Sequence, residues 1–526
     1  MEHTRGERRG DATATASPAS APPLPAAPAR WRRREGWVGW LAPVIFCLLR
    51  APSLIEPHWY TDEAGYAVTA WLAIHGHPLY GAVWNNKPPL LFWTYGLLVA
   101  WFGPSEAALH AASLISGLIA VGVVHRILLR HQGAARAAIG GLIAAVLLGT
   151  PVLNGDLALP ENLLIGPAAV GILLLLRAED ASPGRRTLGW TAAAGGCFAV
   201  ATLYQQTALD VVGAATLWLL VRSGWSGRHR LAALLGPWAA LVVAALAPYA
   251  IWVGPSRLVF LLVTSYTGYT ASSLPPTLTN LAVRLIEVGA LLAGAWLARR
   301  LPSWQLLVWI WAACALIVAT LPNRPYPHFG LPAVAPVAIL LASARWPRAD
   351  AWRRLASPPR VGEALLLLAA LVPVGIGWSL LSPPGAFYSL ELTGVYYQSV
   401  LGRLDGTLGR SAFRSPFGQE ATAEVAVASW LRSHHLAGSS AVVWSANAWV
   451  DLLTPLRPDL VTPTVYMNEY WLGAAGVLAR IRRARPRVIV ADQTSLEEFP
   501  GVVPILHAAY REVEVAVPMS VWLRRS

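Results

Sequence analysis

The stretch NNKPPLLFWTYGLLVAWF, residues 85–102, decides how this chain is laid out. Residues 88–102 are apolar enough to lie on a bilayer, yet they fall short of the roughly 17–25 residues a crossing helix needs. Counting them as a span would invert every later loop and put the arginine-rich HRILLRHQGAAR, residues 125–136, on the outer side. Arginines and lysines are retained on the cytoplasmic side during insertion, so these residues read instead as an interfacial helix whose Trp and Tyr suit the headgroup level. Residues 63–75 read the same way, and together they make 56–106 one long outer loop.

Composition agrees with a membrane setting. The chain is 55% hydrophobic and 13% charged, with a mean hydropathy of +0.47, whereas soluble domains carry about a quarter charged residues. Candidate spans fall at 37–55, 107–125, 137–153, 161–176, 187–204, 207–221, 231–253, 279–298, 304–321, 329–344 and 361–381. With the N-terminus in the cytoplasm, the loops and flanks of that side hold 23 cations up to residue 360, against a handful opposite. The net charge of +13 therefore reports topology and excludes nucleic acid as the reason for the arginines. An odd number of spans places the C-terminus outside.

The expected fold is an α-helical polytopic membrane protein with about eleven transmembrane helices, interfacial helices and a C-terminal extracytoplasmic α/β domain. Residues 1–36, rich in Pro, Ala and Ser and ending in RWRRREGW, read as a disordered basic cytoplasmic tail. Residues 37–382 form the transmembrane domain and residues 383–526 the outer one. In the latter, AVVWS, RVIVAD and EVEVAVPMSVWLR are strand-like, while ATAEVAVASWLRSHH and LGAAGVLARIRRA are helix-like. Its Trp444, Trp449, Tyr466, Tyr470 and Trp471 could stack on sugar, though an aromatic core explains them more simply. Cys47, Cys197 and Cys314 lie in apolar runs and suggest neither disulfides nor a metal cluster.

Three outer segments hold groups able to do chemistry. YTDEAGY, residues 60–66, sets Asp62 and Glu63 at the start of an amphipathic helix, as a helix cap or as a general base. Lys87, the only lysine in 526 residues, precedes Pro88 and Pro89. It is either an interfacial cation or a compact point charge for an anion. In TPVLNGDLALPENLLIG, residues 150–166, Asp156 and Glu161 bracket a proline turn, where Glu161 could also merely cap the next helix. LPNRPYPHFGLPAVAP, residues 321–336, supplies Arg324, Tyr326 and His328, either as interface anchors or as contacts to phosphate oxygens. Carboxylates for an acceptor hydroxyl beside cations for a phosphate describe transfer of a group from a lipid phosphate. The competing reading is a non-enzymatic transporter or lipid-handling scaffold; against it, the polar residues gather at one surface and no repeat is evident. The absence of a G-x-G-x-x-G or Walker loop argues against nucleotide-sugar use.

The order DEAGY, G-HPLYG-VWNNKPPLLFW, PENLL and YPHFGLPAVAP resembles the GT-C superfamily of polyprenyl-phosphate-sugar-dependent glycosyltransferases. Within it the chain is similar to bacterial relatives of the protein O-mannosyltransferases and of the lipid A aminoarabinose transferase. The resemblance implies an inverting sugar transfer at the outer face of the cytoplasmic membrane, from a polyprenyl-phosphate-linked donor to a glycan, lipid or protein acceptor. It implies Asp62 as the catalytic acid residue of the first loop, Lys87 near the donor phosphate and Glu161 as the second-loop acid. No cofactor is expected; a divalent cation is possible but not indicated. Two positions depart from the pattern: Gln205 and Gln206 stand where a lysine often follows the fifth span, and Phe329 stands where a tyrosine often follows the histidine.

Overall fold

The computed structural model describes residues 29–265, 285–289, 291–294, 296, 299–320, 326–344 and 390–525. The candidate span 361–381, most of the N-terminal tail, part of the span 279–298, and Arg324 lie outside the described residues.

The first half of the chain is a run of apolar helices: α1 (Ala29–Arg50), α2 (Thr61–Ile74), α3 (Pro89–Phe102), α4 (Glu106–Gln132), α5 (Ala134–Gly149), α6 (Pro160–Asp180), α7 (Arg185–Tyr204), α8 (Leu209–Ser223) and α9 (Arg228–Val253). Helices Ser303–Thr320 and Leu331–Ser343 complete the described bundle. Three of these, α4, α6 and α9, are long and apolar enough to cross a membrane, and shorter apolar helices accompany them. The packed core is built largely from Ala, Leu, Val and Ile of α4 to α8, closed by Trp218, Trp309 and Trp311. At the α4–α6 crossing the backbones nearly touch: a Cβ on Gly166 would stand 2.8 Å from the Ser116 carbonyl oxygen. Ser116 Oγ uses that proximity to donate to the Leu163 carbonyl at 2.9 Å.

The outsides of these helices are apolar as well. On α9 only Leu234 is buried, and Val243 and Ile251 are 63% and 85% exposed. A helix apolar all round and open on most of its surface needs a lipid environment.

Residues 61–74 and 89–102 form two 14-residue helices. At 1.5 Å per residue each spans about 21 Å, short of the ~30 Å hydrocarbon core. Helix α3 turns Leu91, Phe92, Tyr95 and Val99 inward and leaves Trp93, Leu97, Trp101 and Phe102 exposed. This stripe at four-residue spacing suits an interfacial helix.

The C-terminal part is α/β. Strands β1 (Ser440–Trp444), β2 (Arg457–Pro458), β3 (Val488–Asp492), β4 (Tyr510–Ala516) and β5 (Met519–Arg524) form one sheet in the order β2-β1-β3-β5-β4. The β2-β1-β3 side is parallel, with Ala441 opposite Val488. β5 runs antiparallel to both its neighbours. The run EVEVAVPMSVWLR, which reads as one strand, is a hairpin split at Val517 and Pro518. The helix-like 472–484 belongs to a longer helix, Val465–Ala484, kinked at Gly473 (φ 68°), where a side chain would be strained. Trp444 and Trp449 are fully buried, as an aromatic core requires.

This part docks on the outer loop and does not stand apart from it. Ala448, Trp449 and Leu452 share one apolar cluster with residues of α2 and α3. Trp84 N–H donates to the Val461 carbonyl at 2.7 Å, and Asn447 Nδ2 donates to the Trp59 carbonyl at 2.9 Å.

The docking helix Trp449–Leu453 carries Asp451, 2% exposed, whose Oδ1 lacks a hydrogen-bond partner among the described residues. Burial pushes its carboxyl up to about 8. A carboxyl with a raised folded-state pKa favours the folded state at low pH and withdraws that stability as pH rises through the window from about 4 to about 8. Asp451→Asn should therefore melt above wild type at pH 9 in detergent, with the gap narrowing at pH 5. An equal gap at both pH values would contradict this.

Candidate functional site

Three helix starts converge under the C-terminal part. α2 begins at Thr61 and α6 at Pro160, and neither is capped by a side chain. The residues before them, Tyr60 and Leu159, hold the cap positions, so Asp62 and Glu161 each sit one residue inside a first helical turn. There the helix dipole favours a carboxylate. α3 begins at Pro89, immediately after Lys87 and Pro88. With Pro89 at its first position it loses no backbone donor it could have used.

Around these starts lies a cavity of about 440 Å³. Asp62, Glu161, Lys87, Tyr326, His328 and Phe329 all line it. Thr462, Thr464, Tyr466 and Met467 line it as well, and Leu209, Leu262, Val263 and Val318 make part of its lining apolar. The cavity thus gathers residues from six separate parts of the chain: the outer loop, Glu161, 205–209, 262–263, 318–329 and 462–467.

The backbone at Lys87 is held on both sides. Tyr80 Oη donates to its carbonyl at 2.6 Å, and its own N–H donates to Asn85 Oδ1 at 3.2 Å. Gln206 Nε2 donates to the carbonyls of Asn86 and Leu262, at 2.7 and 2.8 Å. The glutamine that departs from the expected lysine is therefore a brace between the 85–87 turn and the segment after α9. Gln205 is 1% exposed and also lines the cavity.

His328 is 5% exposed, stacks on Tyr326 with ring centroids 5.6 Å apart, and meets Phe329 edge-on at 4.5 Å. Burial lowers its pKa, while Glu161 and Asp62 pull the other way. Burial raises the Asp62 carboxyl, opposed by His328 and Lys87. Tyr466 Oη reaches Asp62 Oδ1 at 3.5 Å. The cavity therefore presents a carboxyl able to take a proton, a lysine and an imidazole.

Glu63 and Asp156 stand elsewhere. Glu63 is fully buried, and its Oε1 accepts from the Ala158 N–H at 2.5 Å and lies 3.1 Å from His110 Nε2. Asp156 is 3% exposed and within electrostatic reach of Arg50, which also donates to Ser113 Oγ and to the Leu157 carbonyl. Burial pushes Asp156 up to about 6 and Glu56 up to about 8. Both Glu63 and Asp156 belong to a buried polar layer behind the cavity wall. Sequence reasoning did not find Asn85, Asn86, Thr462 or Thr464; Tyr466, one of the aromatics that could stack on sugar, does line the cavity. The two asparagines adjoin the lone lysine, which was the available signal; Thr462 and Thr464 carried none.

Residues 86–252 match the family model described as dolichyl-phosphate-mannose-protein mannosyltransferase. In fold the chain is similar to ArnT from Cupriavidus metallidurans bound to undecaprenyl phosphate, with a TM-score of 0.56 and 19% identity over 94% of this chain and 98% of that one. The apo state of ArnT superposes equally well, at a TM-score of 0.56 and 17% identity over the same shares. The archaeal oligosaccharyltransferase AglB from Archaeoglobus fulgidus, in complex with an inhibitory peptide and a dolichol-phosphate, is 12% identical at a TM-score of 0.48 over 95% of this chain and 75% of that one, too remote to add weight. No curated protein matches the chain. The likeness to GT-C glycosyltransferases seen in the motifs is thus found again in a family model and in the fold.

Proposed function

We propose that the chain is a membrane glycosyltransferase that moves a sugar from a polyprenyl monophosphate to an acceptor hydroxyl at the outer face of the cytoplasmic membrane. The observation that carries this reading is the meeting of Asp62, Glu161, Lys87 and His328 in one cavity with an apolar side. The acceptor is a glycan, a lipid or a protein, and nucleic acid has no part in it.

In the proposed step the acceptor O–H gives its proton to an Asp62 carboxylate oxygen while the hydroxyl oxygen attacks the anomeric carbon. The new C–O bond forms on the face opposite the phosphate, the old bond to the phosphate oxygen breaks, and the anomeric configuration inverts. Polyprenyl phosphate leaves with the electron pair. Lys87 stands where that negative charge grows, and the N-terminus of α3 beside it adds a positive dipole end. Arg324 is assigned to the same phosphate, with Tyr326 and His328 shaping the pocket. Glu161 orients the acceptor. Glu63 supports the reaction by holding α2 in place. The polyprenyl chain takes the side lined by Leu209, Leu262, Val263 and Val318.

The reading includes eleven spans, a cytoplasmic tail over 1–36, a catalytic membrane domain over 37–382 and an extracytoplasmic domain over 383–526. A reporter fused after Ser526 should be active only when it functions outside the cytoplasm; activity of a cytoplasm-restricted reporter there would refute the orientation.

Removing a placed general base typically loses ~100- to 10,000-fold in rate. Asp62→Asn should fall in that range with donor binding retained, and a purified variant of normal turnover would end the assignment. Lys87→Arg keeps the charge but replaces a compact ammonium with a larger planar fork. It should lose about 10-fold or more in turnover, measured against Arg324→Lys. An interfacial cation with no role at the phosphate would tolerate the change.

A further inference from the structure

Behind the cavity wall, Glu106 and His110 lie one turn apart on α4 and face Glu63 of α2. One ligand atom from each lies within 4.8 Å of the other two. His110 Nδ1 is 2.6 Å from the Ser53 carbonyl oxygen. A carbonyl only accepts, so Nδ1 carries the hydrogen and Nε2 is turned toward the two carboxylates, 3.1 Å from Glu63 and 3.6 Å from Glu106. An imidazole oriented through its other nitrogen by a backbone carbonyl is the arrangement in which histidine binds metals. Glu106 is 4% exposed, and among the described residues neither of its carboxylate oxygens has a hydrogen-bond partner, nor does Glu63 Oε2.

The charges point the same way. Glu56, Glu63, Glu106 and Asp156 are all buried in this layer, and among the described residues Arg50 is the one permanent cation with them. Buried carboxylates must be paired, protonated or bound to a metal.

We propose that Glu63, Glu106 and His110 bind a divalent cation, a buried structural site that clamps the first turn of α2 to α4. Two carboxylates and one imidazole suit zinc or manganese. The cation sits behind the catalytic cavity and takes no part in the sugar transfer, so the site stands or falls independently of the proposed reaction. Because Asp62 follows the backbone of Glu63, the clamp also sets where the proposed base stands.

The test uses the full-length protein purified in detergent without chelator. Elemental analysis should find about one equivalent of zinc or manganese per chain. EDTA should lower the melting temperature by several degrees, and re-addition of zinc alone or manganese alone should restore it for the cognate ion. Glu106→Gln should cut metal content at least about 10-fold. X-ray absorption of the loaded wild type should show nitrogen and oxygen ligands without sulfur, which keeps the test decisive if the variant does not fold. Metal below about a tenth of an equivalent with melting indifferent to EDTA and to both ions would overturn the proposal, leaving the cluster to shared protons. Full metal content in Glu106→Gln, or sulfur in the coordination shell, would overturn it equally.

Discussion

Glu63 is a charge-bearing group with no access to water, and the rest of the site depends on how it is accommodated. An ionised carboxylate in such a place persists only when hydrogen-bonded and paired. The Ala158 N–H and the His110 ring provide that pairing from two different segments. Satisfying them leaves α2 one rotational setting. Its neighbour Asp62, about 100° further round the helix, is then directed into the cavity while Glu63 points away. The same bond ties down the 154–160 loop, so Glu161, the second residue of α6, arrives on the cavity wall from behind it.

The C-terminal part is the second half of that wall. Its sheet presents the segment after β2 to the outer loop, where the Trp84–Val461 backbone bond joins the two. Thr462, Thr464 and Tyr466 follow on the cavity side. Tyr470 Oη donates to the Ser265 carbonyl, and Tyr396 Oη to Glu56. These contacts reach the bundle at separate points, so the part closing the cavity is seated by hydrogen bonds as well as by the apolar cluster around Trp449. A site built between a helical bundle and a docked α/β unit is a common place for a ligand pocket.

The charge inside the cavity is small. Lys87 is the cation the described lining residues supply, and of Gln205 and Gln206, which stand where a second lysine was expected, Gln206 donates both its described hydrogen bonds to backbone carbonyls. A neutral amide there positions the turn that carries Lys87 and leaves that lysine to act electrostatically. Burial of His328 works in the same direction, since it favours the neutral imidazole.

Much of this was legible in the chain before any coordinates. The membrane class, the shortness of 63–75 and 88–102 as spans, the α/β character of the C-terminal part, and the choice of Asp62, Lys87, Glu161, Tyr326 and His328, which line one cavity, all follow from hydropathy, length, charge placement and local motif. These are properties a one-dimensional pattern can carry, because each depends on near neighbours or on the solvent a segment must face. The fates of Glu63 and Asp156 could not be read that way: adjacent carboxylates look alike in sequence, and only the helix rotation imposed by His110 and Ala158 separates the buried one from the cavity one. The role of residues 462–466 and the pairing of Glu106 with Glu63 were likewise decided by tertiary structure. They depend on segments hundreds or tens of residues apart being brought together by packing, and a sequence records no distance between residues that meet only on folding.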